Sequence, residues 1–341
     1  MTEGLNTDNR KFRILLAPTR ELAESVQAEA SIEAEYGDYC VEGTKVTLAH
    51  HGSRNKNPAP CNAEVDPILG GTVLVSHLDL DTIGGIMAVQ GRRPEDPEFW
   101  KAAEFIDVNG THHMRELPQD MQDKLNAYYA HEFSLRKKEG PPSRTKIADI
   151  TEAVEKRMSA VEAIIDERHP DHDRLIRDGR DWAERTEEAV EKQFAFETDR
   201  VRVFVTTGPF TSASYRSPET GKIFPATVTL NMNTKAVTVA FEDGGNPEKS
   251  AVKIVQALWG PESGGHNGIA GSPRGQEMGA EELIEAVMKV EETIAPPLTP
   301  ERAEELPDIR EQLTEAVREN MRERGLEIPD KGDGPQGPEH P

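Results

Sequence analysis

The stretch TVLVSHLDLDTIGGIMAV, residues 72–89, changes character twice along its length. A β-branched apolar run comes first, three polar side chains of metal-ligating type follow, and a Gly-Gly pair then opens a run with helical spacing. A buried strand that leads into a helix is the repeating unit of α/β proteins, whose functional sites lie at the carboxyl ends of strands. The stretch therefore predicts an α/β fold with a site at this strand end.

The three polar residues are His77, Asp79 and Asp81. Alternate side chains of an extended chain share a face, so we expect these three to converge while Leu78 and Leu80 point into apolar layers. Imidazole and carboxylate groups together suit manganese, iron or zinc. On spacing alone, a polar strand end with exposed carboxylates explains the pattern equally well.

The remainder of the chain predicts two domains and a tail. Strand-like runs at 13–17, 45–51 and 104–110 alternate with helical patterns, which favours a mostly parallel sheet in the N-terminal domain. The expected parts, in chain order, are the α/β domain at 1–140, a helical connector at 141–197, a smaller α+β domain at 198–296, a C-terminal helix at 297–328 and a disordered tail at 329–341.

Composition narrows the classes of partner. The 341 residues carry a formal net charge of -22, which repels long duplex nucleic acid and anionic membranes. The chain has only Cys40 and Cys61, in no CxxC pair, and no apolar run long enough to cross a bilayer. We therefore expect a cytoplasmic protein with no membrane partner, and the sequence leaves a homodimer open.

The segment SHLDLDTIGG, residues 76–85, resembles the first motif of the DHH phosphoesterase superfamily. The resemblance implies that His77, Asp79 and Asp81 coordinate a pair of divalent ions. Downstream, FIDVNGTHHM resembles the second motif through Asp107 and the third through His112 and His113. These three residues are the expected catalytic group, with Asp107 and His112 also expected as metal ligands.

Two departures from the family pattern lie in the downstream segment. Thr111 stands where the third motif has Asp, and Asp107 is unusually close to the histidine pair. Asp107 would then replace the missing carboxylate. Upstream, His50 and His51 follow a strand-like run that the resemblance does not cover, and they are either a further metal or substrate site or part of a phosphate-attracting patch.

The segment SGGHNGIAGSPRG, residues 263–275, resembles the DHH-associated C-terminal domain. The resemblance implies that Gly264, Gly265, His266 and Arg274 bind substrate. Glycines let backbone N–H groups approach an anion, and the two side chains add donors to a phosphate. The family's usual Ser-Arg pair is absent from AFEDGG, residues 240–245. Either Arg274 takes over that phosphate contact, or the substrate lacks the usual phosphate.

These motifs predict a metal-dependent phosphoesterase with two divalent ions, preferably Mn²⁺, while Mg²⁺, Zn²⁺ or iron also fit. The expected substrate is small and phosphorylated, such as a short oligonucleotide, a dinucleotide or a related nucleotide. Two alternatives stay open: a metal-dependent hydrolase of another bond, and a catalytically inactive module that binds a nucleotide or a protein partner.

A first prediction concerns the tail. The segment after Pro329 is rich in Pro, Gly and charge, so it buries too little apolar area to offset its ordering entropy. Deleting it is expected to change neither the melting temperature nor turnover. A fall of several degrees in a thermal melt of the truncated protein would show that the tail docks.

Overall fold

The computed structural model describes two compact units, Met1–Arg185 and Thr186–Pro341, each with its own sheet and apolar core. The described residues are 12–36, 39–50, 54, 56–140, 145–207, 214–273, 276–294 and 300–326, without the side chains of 300–307. His51, Arg274 and the tail at 329–341 lie outside them.

The first unit is a five-stranded sheet with helices on its faces. Its first elements are β1 (Phe12–Leu16), α1 (Arg20–Glu24), β2 (Ala30–Ile32), β3 (Glu35–Tyr36), β4 (Tyr39–Cys40), β5 (Val46–Leu48), β6 (Gly71–Val75) and α2 (Leu80–Gln90). The chain continues with α3 (Pro97–Asn109), a 3-10 helix (Thr111–Glu116), α4 (Gln119–Glu139), β7 (Ala148–Asp149), α5 (Thr151–Ile165) and α6 (His172–Glu191), which crosses into the second unit.

The strand order is β5-β2-β6-β1-β7. The first four strands run parallel, and β7 pairs antiparallel with β1. The predicted mostly parallel sheet is therefore confirmed. Side chains alternate across it: Ile14 and Val73 face the main core beneath α2 to α5, whereas Leu15 and Leu74 face a smaller core beside α1. Burial on both faces explains why the strands read as continuous apolar runs.

The strand predicted at 104–110 is wrong, because these residues lie in α3 and the turn that follows it. Asp96 caps the helix, Pro97 occupies its first turn, and Phe99, Ala103 and Ile106 bury one face. The helical period over the whole segment outweighs the strand-like composition of its last residues.

The connector predicted at 141–197 also differs from the structure. Its residues supply β7 to the sheet of the first unit and α5 to that unit's core, where Val154, Met158 and Val161 are fully buried. The apolar residues that recur at helical spacing in α5 therefore face the core of the first unit.

The second unit is a six-stranded mixed sheet with helices packed on it. Its elements after α6 are β8 (Phe194–Glu197), β9 (Val201–Thr206), β10 (Ala226–Asn231), β11 (Ala236–Phe241), α7 (Ala251–Trp259), β12 (Gly264–Gly265), β13 (Ile269–Gly271), α8 (Ala280–Ile294) and α9 (Pro300–Glu323). The order is β12-β13-β11-β10-β9-β8, with only the β9–β10 pair parallel among the described strands.

The second unit contains both helices and strands, in agreement with the α+β fold predicted for residues 198–296. Val255 of α7, Leu283 of α8 and Val317 of α9 share one core with the strands. Among the described residues, no helix combines the length and apolar character that crossing a membrane requires.

A second prediction concerns the close approach of α2 to its neighbours. A Cβ at Gly84 would lie 2.5 Å from Cys61 Cβ and 2.7 Å from Trp100 Cζ3, and both neighbours are buried. Gly84→Ala is expected to destabilise the protein by about 1–3 kcal/mol, because a packed core yields little space. The control is Gly271→Ala, whose new methyl would meet nothing nearer than 3.6 Å. Equal melting temperatures for the two variants would contradict the packing argument.

Candidate metal centre

Three neighbouring parallel strands end at one edge of the first sheet and deliver three polar side chains there. Glu33 directly follows β2, His50 comes two residues after β5, and His77 comes two residues after β6. Asp81 in the first turn of α2 and Asp107 in the last turn of α3 reach the same place. This edge is where open α/β sheets carry their sites.

Glu33 lies at the centre of the group. Its Oε1 is 3.1 Å from His50 Nε2, and its Oε2 is 3.1 Å from His77 Nε2. The side chain has no exposed surface. One carboxylate therefore faces two groups of potential metal ligands, one on each oxygen.

The buried cluster consists of Glu33 Oε1, His50, Asp81 and Asp107. His50 Nε2 lies 3.4 Å from Asp81 Oδ2 and 3.2 Å from Asp107 Oδ2. Ligand atoms of Glu33, His50 and Asp81 are mutually within 4.8 Å, a spacing that one ion can bridge.

The outer cluster consists of Glu33 Oε2, His77 and Asp79. His77 Nε2 is 2.9 Å from Asp79 Oδ2, and the three ligand atoms again lie within 4.8 Å of one another. The two clusters share Glu33, as two ions bridged by a carboxylate would require.

The backbone of Glu33 is in the left-handed region, with φ +50°. This conformation costs a non-glycine residue of order 1 kcal/mol or more and is found where the surroundings over-determine it. Here the Glu33 N–H donates to the Leu48 carbonyl at 2.8 Å, and the Glu33 carbonyl accepts from the Ser76 hydroxyl. Strain at a buried carboxylate on a strand end indicates a functional constraint.

Backbone donors orient two of the aspartates. Asp81 Oδ1 accepts from the Cys61 N–H at 2.8 Å, and Arg93 donates to the Cys61 carbonyl at 2.8 Å, which holds that loop in place. Asp79 caps α2 by accepting from the Thr82 N–H at 2.8 Å through Oδ1, so that Oδ2 faces His77. Outer contacts of this kind fix the direction of metal ligands.

The electrostatics of the group favour cations. Burial, followed by the charge of Glu33, raises the pKa of Asp81 to about 8. Burial lowers the pKa of His50, but contacts with Asp107 and Glu33 outweigh it and raise that pKa to about 10. The pKa of His77 is likewise raised to about 10, because contacts with Asp79 and Glu33 outweigh burial.

Asp81 Oδ2 is fully buried and accepts no hydrogen bond from the described residues. With neutral imidazoles, the four carboxylates of the two clusters carry a charge of -4, which two divalent ions would balance. Metal binding would replace the protons that the histidines otherwise hold. The donor set therefore fits a pair of divalent cations.

The structure brings together His77, Asp79, Asp81 and Asp107, all predicted as ligands, with His50, which the sequence offered as a further metal or substrate site. The predicted means of convergence is wrong, because β6 ends at Val75 and the later residues do not share a strand face. Asp79 is instead the N-cap of α2 and Asp81 lies in its first turn. The three ligands of the first motif meet through Glu33.

His112 and His113 lie in the 3-10 helix and belong to neither cluster. Their ring centroids are 4.4 Å apart, and His113 Nδ1 is 2.7 Å from Glu116 Oε1. The His112 ring packs against Gly110, where a Cβ would lie 2.7 Å from Cε1. Their metal and catalytic roles stay predictions.

The glycines predicted to bind substrate form a tight hairpin, β12–β13, in the second unit. Gly265 has φ +142°, and a Cβ there would lie 2.4 Å from Ala270 Cα, so the turn itself requires glycine. His266 Nδ1 accepts from the Gly268 N–H at 3.2 Å. A groove of about 880 Å³ lies beside the hairpin, lined in part by Gly264 and Trp259. Substrate binding by this hairpin stays a prediction.

Glu33 is the site residue that sequence reasoning missed. It follows a strand of only three residues, too short for alternation to be recognised. The available signal was an acidic residue flanked by small and apolar ones in ASIEAE, residues 30–35.

Comparison with protein-family models, with curated proteins and with solved structures finds no match to this chain.

A third prediction concerns Glu33. Manganese at about a hundred times its dissociation constant should stabilise the wild type by about 2.7 kcal/mol, measured as a rise in melting temperature. Glu33→Gly keeps a residue that tolerates φ +50° but removes the shared carboxylate, so this rise should disappear.

The matched control is Lys235→Gly, at the other described non-glycine residue with positive φ, +49°. It should keep the full manganese effect. A manganese-dependent rise of wild-type size in Glu33→Gly would contradict the assignment.

Proposed function

We propose that the first unit binds two divalent cations and that the protein is a metal-dependent phosphoesterase. The observation that carries this proposal is Glu33, a buried and backbone-strained carboxylate whose two oxygens face two separate clusters of imidazole and carboxylate ligands. Paired ions on a shared carboxylate are typical of enzymes that displace groups at phosphorus.

The ligand chemistry supports manganese as the preferred metal. Both clusters offer one imidazole and otherwise carboxylate oxygens, a mixture that suits Mn²⁺ and also allows Fe²⁺, Zn²⁺ or Mg²⁺. The nearby Cys61 contributes its backbone N–H to Asp81, while its thiol lies 3.7 Å from the Trp100 carbonyl. A thiolate site for a soft metal is not proposed.

When bound, two divalent ions supply a hydroxide at neutral pH and neutralise charge on the phosphate. The side chains of the two clusters would hold the ions at the strand ends and keep their own orientation through the Cys61 and Thr82 donors. His77 is nearly half exposed, so solvent and a phosphoryl oxygen can reach the outer cluster. In-line attack on phosphorus is the proposed reaction.

The proposed substrate is a small phosphodiester or phosphomonoester, such as a short oligonucleotide, a dinucleotide or a related nucleotide. The net charge of -22 disfavours long polyanions, whereas a small substrate can be held by the metals themselves. The groove beside the β12–β13 hairpin is within the size range of small-ligand sites. Gly264 and Gly265 line this groove, and we propose that they and the neighbouring His266 bind substrate.

The resemblance of residues 76–85 to the first DHH motif agrees with this proposal, since its three ligands all enter the two clusters. Membership of that superfamily is part of the proposal. In it, Glu33 and His50 complete the ligand set of the two clusters, and the roles of His112 and His113 outside them stay predictions.

A fourth prediction tests the activity. Asp81→Asn is expected to reduce phosphoester hydrolysis by about a thousandfold, equivalent to about 4 kcal/mol of transition-state stabilisation, because the buried cluster loses a charged ligand. The control is Asp66→Asn, which changes an exposed carboxylate outside both clusters.

Hydrolysis is measured with bis-p-nitrophenyl phosphate, p-nitrophenyl phosphate and short oligonucleotides, each with and without manganese. Comparable turnover by Asp81→Asn and Asp66→Asn would refute the site. Two bound ions without hydrolysis of any phosphoester would instead favour a different hydrolase or the binding module.

A further inference from the structure

The two clusters differ sharply in exposure. In the buried cluster the side chains of His50 and Asp81 are 6% and 1% exposed. In the outer cluster those of His77 and Asp79 are 44% and 35% exposed. Asp107, beside His50, is 21% exposed, so an ion in the buried cluster would be less open to solvent than an ion in the outer cluster.

A further carboxylate lies beside the buried cluster. Each cluster has three ligand atoms mutually within 4.8 Å, and in addition Asp107 Oδ2 lies 3.2 Å from His50 Nε2. The outer cluster has no corresponding extra carboxylate among the ion pairs of His77 in the described residues.

Charge adds to this difference. Besides the shared Glu33, the buried cluster contains two carboxylates and the outer cluster contains one, Asp79. Attraction between an ion and a carboxylate grows as the local dielectric falls, so the extra charge is also placed where it acts more strongly.

Hydrogen bonds orient the ligands of both clusters. The Cys61 N–H donates to Asp81, and the loop that carries Cys61 is held by Arg93, which donates to the Cys61 carbonyl, and by Glu104, which accepts from the Ala59 N–H. In the outer cluster the Thr82 N–H donates to Asp79, and His77 Nδ1 lies 2.9 Å from Ser76 Oγ. The two clusters therefore differ in exposure and in charge, while the ligands of both are held in place.

We propose that the two ions are inequivalent. The buried cluster retains its ion as a permanent part of the centre, and the outer cluster, whose side chains are open to solvent, binds an exchangeable ion that water and a phosphoryl oxygen of the substrate could reach. This inference rests on the proposed two-metal centre, and it assigns different tasks to His50 and His77.

The experiment counts metal on the full-length protein. Wild-type protein is loaded with Mn²⁺, desalted, and its retained metal is counted by elemental analysis; further Mn²⁺ is then titrated while the free ion is followed by electron paramagnetic resonance. We expect about one retained ion per chain and a second that binds at least about tenfold more weakly.

Two variants separate the clusters. His77→Ala should keep the retained ion and lose the weaker step, whereas Asp107→Asn should lose the retained ion. Asp107 is partly exposed at the end of α3, so its isosteric change disturbs packing little, and His50→Gln provides a second test of the same cluster. The control is His169→Ala, outside both clusters, which should behave as the wild type.

Three results would overturn the proposal: two ions of equal affinity in the wild type, loss of the retained ion in His77→Ala, or its survival in both Asp107→Asn and His50→Gln. Absence of any Mn²⁺ binding to the wild type would overturn both this proposal and the two-metal centre. Unequal binding without hydrolysis of any phosphoester would leave the inequivalence standing and refute only the phosphoesterase activity.

Discussion

The shared carboxylate of Glu33 is the interaction on which the proposed centre depends. Because β2 lies between β5 and β6 in a parallel arrangement, the residue after β2 can face the residues after both neighbours at one edge of the sheet. Among the described strands of that sheet, only β2 lies between two strands that are each followed within two residues by a histidine. Glu33 adopts an unfavourable left-handed backbone conformation in this position, and hydrogen bonds with Leu48 and Ser76 maintain that conformation.

Burial of several carboxylates together is unfavourable unless a cation compensates them. Protonated histidines do so in part, which is why the pKa values of His50 and His77 are both raised to about 10. The same contacts place the proposed metal ligands, and backbone N–H donors to Asp79 and Asp81 orient these ligands without adding charge. If the centre binds metal as proposed, metal affinity and the stability of the first unit are linked.

The second unit illustrates how a motif can have two explanations. The Gly-Gly-His segment resembles a substrate loop, and the hairpin also needs glycine at Gly265, where backbone approaches backbone. Gly264 is different, since a Cβ there would meet nothing within 4 Å. A backbone requirement thus accounts for Gly265, while Gly264 lines the groove beside the hairpin and its binding role is part of the proposed function.

The sequence by itself determined the α/β character, the strands β1, β5 and β6, the helix after His77, and four of the proposed ligands, because these depend on local apolar patterns and on one short motif. Tertiary structure alone decided the rest. Glu33 and His50 meet His77 only because β2, β5 and β6 become neighbours, and strand order is not encoded in local periodicity. The placement of Asp107 likewise depends on tertiary structure. Residues 104–109 form the end of α3, which packs beside α2, and Asp107 reaches His50 from there.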